Sequence, residues 1–514
     1  MKHEGKIIES LYQKQTIERL TGMKVRFHQV IKKTACLLLI FFLFGDSLTS
    51  FAEGSKTVFN ASKPHLIVNR IFGAGDGKYG PHSFMERYNQ TEELGASRID
   101  SLKDQLRFLL RLTAYDEVYC EQESADSIKQ LRAEADALLK KESASESECE
   151  SLIANMEQAR AARTFKHQAD VTSVYITTDN GIDGSYKGNI TKPMGYVKSQ
   201  IVIVDVSGDV VTADDNSQIK VRGNTTAYGG KRPYNFKLSA KTDLFGFGKS
   251  KKWALLADWY DPTLMRNALA LDLAQKLGDL PAIDHKPVEV WMDGIYQGFY
   301  LLTERIEANE DRVDINEKDG DFMVELAIPL RAEEGNTYFY SAEGKFFRLR
   351  EPEEPSVDTL MQIKSTMSSL HTVLSSGDYG AVKELIDVDS FVSYYVLNEY
   401  LQTCDFEQLS VYFYYKDGKF YAGPPWDFDN SAGLKFNKPW SSWGAFAAEC
   451  HYYKQLMQYP QFVEAVYQKY MDCGNDIQNI YQKNGWIDRY LALYGNAIHR
   501  NLESALAAYS DPSY

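Results

Sequence analysis

The spacing of apolar and polar positions divides the chain into segments of different character. Between residues 93 and 165, Leu102, Leu106, Leu109 and Leu110 recur at steps of three and four. Leu131, Ala135, Leu138 and Leu139 do the same, and then Leu152, Met156 and Ala159. That period predicts three amphipathic helices separated by acidic, Ser-rich turns, a small bundle with solvated outer faces. From Val171 the period changes to two. Val174–Thr178, Gln200–Val206, Gln218–Thr226 and Tyr234–Leu238 alternate with β-branched residues and predict antiparallel strands with one wet face. A helix follows from Thr263 to Leu277, with Pro262 before it and Gly278 just after it. Two further strands, Pro287–Met292 and Gly298–Glu304, are joined across Asp293-Gly294. Beyond Leu360 the pattern is mainly helical, and the 440–514 stretch carries the aromatic and Leu positions of a helical core. The exception is the aromatic hairpin of 405–433, which turns at Asp417-Gly418.

That hairpin opens on Asp405 and closes on Trp426-Asp427-Phe428-Asp429. Its strands bring two acids from opposite ends of a segment near one another. One carboxylate near an attacking hydroxyl and another holding a divalent cation is the arrangement phosphoryl transfer needs. An ordinary hairpin with solvated acids in its loops reads the same way.

The N-terminal pattern is that of a targeting segment. Lys24, Arg26, Lys32 and Lys33 precede the apolar run Ala35–Phe44, and a small-residue stretch ends at Ser50-Phe51-Ala52. Residues 1–52 therefore read as an export signal, with Met23 as an alternative start and a retained anchor as the alternative fate. The run is too short to span a bilayer as a helix. Beyond it stand Cys120, Cys149, Cys404, Cys450 and Cys473, an odd set without zinc spacing; Cys120 and Cys149 are the candidate pair for a disulfide.

Composition adds bounds. Over 514 residues, 44% hydrophobic and 25% charged content are globular values, and the length allows more than one domain. A net charge of −14 argues against a nucleic-acid partner but admits a nucleotide held through a metal.

Residues 57–92, with an apolar strand entering Gly73–Gly77 and a second strand at Ser83–Asn89, resemble the opening of a lamin-tail-like domain. The 93–165 helices resemble spacer modules of bacterial surface proteins. Five further motifs occur in order: Arg222–Thr226 (RGNTT), Lys231–Leu238 (KRPYNFKL), Asp261–Asn267 (DPTLMRN), Asp293–Glu304 (DGIYQGFYLLTE) and Pro425–Gly433 (PWDFDNSAG). Over roughly 171–500 they resemble the CotH family, atypical protein kinases named after a spore coat protein.

The resemblance implies an α+β, protein-kinase-like domain of two lobes behind the helical bundle. Its antiparallel small lobe would span 171–310 and its helical large lobe 311–514. It also implies ATP, with Mg²⁺ or Mn²⁺, as cofactor. Asp405 matches the catalytic acid and Asp427 the metal-binding acid. Asp429 would add a ligand if it shares a strand face with Asp427, or would cap a turn. Arg222 and Lys231 are candidate phosphate cations, and Lys237 is the candidate lysine for the α/β-phosphates or a strand lysine facing water. Its acidic partner is expected from Asp261 or Asp272. Arg266 and Asn267 either touch nucleotide or lock the helix. Glu304 falls where a kinase hinge would be, or is structural. Five residues after Asp405, where a kinase carries a metal-binding Asn, this chain has Ser410. Asn398 lies upstream instead. The expectation is an exported kinase for Ser/Thr hydroxyls of a protein substrate. The alternative is a non-catalytic surface or spore-coat interaction protein on a pseudokinase scaffold.

Overall fold

A computed structural model describes residues 98–179, 190–435, 438–439 and 445–510. All belong to one compact unit, His82–Tyr514. The signal at 1–52 and the lamin-tail-like stretch at 57–92 lie outside the described residues.

The predicted helices form at Arg98–Leu112 (α1), Gln122–Lys140 (α2) and Glu146–Ala161 (α3), around Leu102, Leu106, Leu109, Ala135, Leu152 and Met156. Ser145 starts α3 with a capping box closed by Glu148. The bundle is not a free spacer, because it is docked on the strands that follow. Tyr119, Cys120 and Phe165 pack on Tyr175, Val202 and Val204. Tyr119 Oη donates to Ile176 O at 2.9 Å and accepts from Gly294 N–H at 2.9 Å. Arg163 pairs with buried Asp116 at 2.9 Å. Cys120 and Cys149 are both free and belong to different apolar clusters, so this candidate pair is not bridged.

Seven strands follow: Thr172–Thr178 (β1), Val197–Val204 (β2), Val210–Val221 (β3), Tyr234–Asp243 (β4), Lys249–Leu256 (β5), His285–Met292 (β6) and Ile295–Glu304 (β7). They close into a barrel in the order β1-β2-β3-β4-β5-β7-β6, sealed by parallel pairing of β1 with β6 (Thr172 opposite Val288). The small lobe expected to be antiparallel is thus a closed barrel with one parallel pairing, filled by Val174, Ile176, Ile203, Phe236, Trp253, Val290 and Tyr300. β1 has no wet face, since one side lines the barrel and the other meets the helical module.

Helix Arg266–Leu277 (α4) lies between β5 and β6 and packs on the outside of the barrel. It shares a core with Leu256, Phe299 and Leu301 and with the second body. That body holds an antiparallel five-stranded sheet. In sequence order its strands are Phe322–Leu326 (β8), Tyr338–Tyr340 (β9), Phe346–Glu351 (β10), Tyr412–Lys416 (β11) and Lys419–Ala422 (β12), and they lie side by side as β12-β11-β8-β10-β9. The hairpin β11–β12 turns on Asp417 and Gly418, both at positive φ (51° and 83°). Helix Val388–Leu401 (α5) is buried on nearly every side and delivers the chain to Asp405. The last helix, Trp486–Ser510 (α6), straps the bodies together. Asn501 Oδ1 accepts Phe299 N–H at 2.9 Å, and Arg500 reaches Glu289 and Asp170.

Candidate functional site

Asp405 does not sit at a strand end. It lies in the 3₁₀ turn Cys404–Glu407, held from two sides. Cys404 N–H donates to Asn430 O at 3.0 Å, and the buried imidazole of His451 bonds Phe406 O through Nε2. Burial pushes the Asp405 carboxyl up to about 6, with Asp427 adding to the rise and Arg331, Lys435 and a hydrogen bond from Asn430 opposing it. The two acids that close the ends of the hairpin segment therefore lie within electrostatic reach of each other.

Asp427 is fixed by its neighbours. Trp426 and Phe428 are buried in the main core, and between them the Asp427 backbone takes the left-handed φ of 70°. A non-glycine residue holds that conformation only where its surroundings impose it. Here the first turn of α4 imposes it. Asn267 Oδ1 accepts Phe428 N–H at 2.7 Å, while its amide donates to buried Asp258. Arg266 Nε donates to Ser431 O at 3.0 Å, and Ser431 Oγ closes back on Phe428 O at 2.6 Å. Arg266 and Asn267 thus lock the acid loop; the sequence motif had left their role open.

Ser410 stands beside Asp427, its Oγ donating to Asp427 Oδ2 at 3.0 Å. Its own backbone is left-handed, at φ 56°. Asn398 is not a substitute for the missing amide, since its side chain donates to Tyr394 O within α5. The amide that reaches the acids is Asn430, through Asp405.

Asp429 is not on a strand, so the shared-face argument does not apply. It is buried, and burial with the charges of Asp427, Asp258, Asp261 and Asp405 holds its carboxyl well above the usual range. Arg222 lies over the Trp426 ring at 5.1 Å, and its charge acts on Asp427 and Asp429. Asp258, pushed up to about 7 by burial and by Asp261, completes the acidic set.

The other candidates fall elsewhere. Asp261 is fully buried. It accepts from the backbone N–H groups of Thr263, Met265 and Arg266 and pairs with the Arg266 guanidinium, so it anchors the start of α4 and is not the partner of Lys237. Asp272 faces His285 at 3.5 Å. Lys237 lies on the outer barrel wall over the Tyr196 ring at 4.4 Å, with Lys220 on the same ring at 4.6 Å and Lys252 and Arg305 nearby. Lys231 donates to Phe299 O and stacks on Tyr300; burial pulls its ammonium down to about 8 against the pull of Asp258 and Asp261. Glu304 pairs with Arg312 and accepts Asp284 N–H at 2.8 Å, a structural tie at the end of β7; burial outweighs Arg312 and pushes its carboxyl up to about 8.

Sequence reasoning missed Asp258, Arg331, Lys435 and Tyr260, and left Asn430, inside the PWDFDNSAG motif, without a contact to the acids. Tyr260 bonds Thr225 and feels Asp429, Arg331 and Asp405. The available signal was adjacency: each lies within five residues of a motif residue already singled out, except Arg331, which no motif marks.

Among the described residues no three His, Cys, Asp or Glu side chains form a ready-made metal cage. Asp427, with Ser410 beside it and Asp429 two residues on, suits a cation that keeps waters and substrate oxygens, as Mg²⁺ does. The raised carboxyls are the observation that fits: burial and then mutual repulsion push Asp405 and Asp429 up, and a divalent cation would relieve that repulsion. None of the curated proteins compared with the chain matches it. The family model described as CotH kinase protein matches residues 219–505, more than half of the 514 residues and inclusive of every residue of this site, so the chain belongs to the CotH kinase family.

Proposed function

We propose that this chain is an exported, ATP- and divalent-metal-dependent protein kinase that phosphorylates Ser or Thr hydroxyls. We read the barrel and the sheet-and-helix body as the two lobes of a kinase-like domain. Family membership suggests kinase-like activity in general. The observation that carries the finer reading is the convergence of Asp405 and Asp427, separated in sequence by a hairpin, with Arg222 beside the metal-side acids.

Asp405, pushed up to about 6, is ionised at neutral pH yet basic enough to take a proton. It accepts the proton of the acceptor hydroxyl as that oxygen bonds the γ-phosphorus. The bond from that phosphorus to the β,γ-bridging oxygen breaks, and ADP leaves. A bound Mg²⁺ or Mn²⁺ would supply charge neutralisation on the phosphate oxygens. Asp427 would hold it, with Ser410 and Asp429 as the neighbouring oxygens. Arg222 offsets phosphate charge, and Lys237 with Lys220 lines the barrel wall on which further phosphate could rest.

The test is phosphate transfer from labelled ATP with Mn²⁺ by the purified chain, wild type against Asp405→Ala. Labelling of the wild type and its loss in the variant are expected. Equal labelling of the two, or none in either, would leave a non-catalytic interaction protein as the better account.

A further inference from the structure

Strand register sets a mixed row of side chains on the outer wall of the barrel. Lys220 on β3 stands opposite Asn235 on β4, Asn235 opposite Ala254 on β5, and Ala254 opposite Thr303 on β7. Their chain neighbours Ile219, Phe236, Trp253 and Leu302 fill the barrel, so alternation turns the row outward. This wall looks onto the second body. Ala254, with Leu256 and Leu301, belongs to the shared core, and Arg222, two residues beyond Lys220, lies over Trp426 next to Asp427.

Asn235 is 8% exposed and Thr303 is fully buried, yet Asn235 Oδ1 and Thr303 Oγ1 have no hydrogen-bond partner among the described residues. Each such buried oxygen costs stability, and an apolar side chain of the same shape would remove that cost. A ligand that makes the missing bonds explains why polar residues stand there. Between the two lies Ala254, whose methyl leaves the middle of the row low and apolar. An apolar floor with polar groups on both edges suits a flat heterocycle with hydrogen-bonding atoms on its rim. An Asn amide can pair with two such atoms at once, as it does on adenine.

The cations lie beside this floor, toward the acids. Lys220 and Lys237 hold their ammoniums on the Tyr196 ring, at 4.6 and 4.4 Å, and the Tyr196 hydroxyl faces Arg305. Burial pulls both ammoniums down, and neighbouring cations add to the fall: Arg305 and Lys237 at Lys220, Lys252 and Arg305 at Lys237. Lys252 is itself paired with Glu307 at 2.8 Å. Crowded cations favour an anion among them. With Arg222 next in line toward Asp427, Lys220 and Lys237 suit the phosphates of a nucleotide, and Asn235, Ala254 and Thr303 are left for its base.

We infer that Asn235 and Thr303 hold the edge of a nucleotide's base against Ala254, and that this base carries an amino group, as adenine does. The amino group is required because Asn235 Oδ1 can only accept. The inference rests on the kinase reading above, which sets the phosphates at the Arg222 end.

The experiment is calorimetric titration of the full chain, in Mn²⁺, with ATP, with purine riboside triphosphate, which lacks the amino group, and with inorganic triphosphate. Wild type, Asn235→Leu and Thr303→Val are compared, and the Tm of each is measured without nucleotide. Each substitution should weaken ATP binding by about two- to tenfold, the worth of one hydrogen bond, and leave inorganic triphosphate unchanged. Wild type should bind purine riboside triphosphate more weakly than ATP, and Asn235→Leu should bind the two alike. Tm should hold or rise in both variants. ATP affinity unchanged in both variants, or an equal weakening toward inorganic triphosphate, would overturn the inference. So would a fall of Tm in both with base preference kept, which would assign the two oxygens to an ordered water only. Phosphate transfer beside unchanged affinities would spare the kinase reading and remove this inference. Base-dependent binding without transfer would do the reverse, and a wild type that binds no nucleotide would remove both.

Discussion

Asn267 carries the sharpest structural prediction, because one side chain joins the start of α4 to the backbone that holds Asp427. It is 3% exposed, and Asn267→Ala removes the acceptor of Phe428 N–H and the donor to Asp258 Oδ1. A buried polar group left unsatisfied costs about 1–3 kcal/mol. The two losses would together cost about 2–6 kcal/mol, but they differ in pH dependence. Phe428 N–H cannot titrate, so its share is constant. Asp258, already pushed up to about 7, can escape by protonating below that pH, so its share is felt mainly above it. At 2–4 °C per kcal/mol, Tm should fall by about 4–24 °C at pH 8, where both losses are felt, and by about 2–12 °C at pH 5.5, where the Phe428 share dominates.

A second variant separates the two bonds. Asn267→Asp keeps an acceptor for Phe428 N–H but sets a carboxyl against Asp258. The pair can share a proton at pH 5.5 and must repel at pH 8. Thermal unfolding of the three proteins at both pH values, without divalent metal, is the assay. The expected order at pH 5.5 is wild type, Asp variant, Ala variant, with the Asp variant dropping most on going to pH 8. An Ala variant within 1 °C of wild type at both pH values would refute the clamp. So would an Asp variant no more pH-sensitive than wild type.

Other predictions follow from the same geometry. Asp405 is pushed up to about 6 in the folded chain, from an ordinary value of 3.8, so the folded state holds the extra proton between these values. Its contribution to stability therefore declines as pH rises from about 4 to about 6, and Asp405→Asn should flatten the unfolding curve there; parallel curves for variant and wild type would contradict this. Arg500→Ala strands the fully buried carboxylate of Glu289, to which Arg500 Nε donates at 2.8 Å, and should cost about 3–5 kcal/mol in denaturant unfolding; a loss below about 1 kcal/mol would show that α6 does not strap the barrel through this pair. Arg222→Ala removes the cation above Trp426 and should lower kcat/KM for ATP by about tenfold without a matching fall in Tm, whereas an unchanged kcat/KM would free Arg222 of any phosphate role.

Local pattern carried much of the architecture. The three helices, the barrel strands, α4 with Pro262 and Gly278, and the hairpin at Asp417-Gly418 all follow from periodicity and turn chemistry. Closure of the barrel did not, because it depends on β1 meeting β6 more than a hundred residues later, a pairing that no local period encodes. The wet face assigned to β1 failed for a related reason: the face opposite the barrel is covered by Tyr119 and Phe165 from a module that looked like a spacer. At the site, residue types were legible and conformations were not. Asp427-Phe428-Asp429 has the alternation of a strand, yet Asp427 is left-handed and Asp429 is buried among other acids. Asp261 reads as an acid available to a lysine, and only its backbone partners reveal a helix anchor. Arg331 lay in no motif at all; the fold alone brings it to Asp405.

The central claim is that Asp405 and Asp427 act as one site on opposite sides of a transferred phosphoryl group. The most direct measurement is Mn²⁺-dependent transfer from ATP by the wild type, Asp405→Asn, Asp427→Asn and the double variant, beside the Mn²⁺-induced rise in Tm with nucleotide present. Asp405→Asn should lose about 10²–10⁴-fold in kcat while keeping that rise, and Asp427→Asn should lose both. The double variant should be no worse than the worse single variant, as expected of residues that act as a unit. Full activity of either single variant, or a metal-induced rise that survives in Asp427→Asn, would contradict the account.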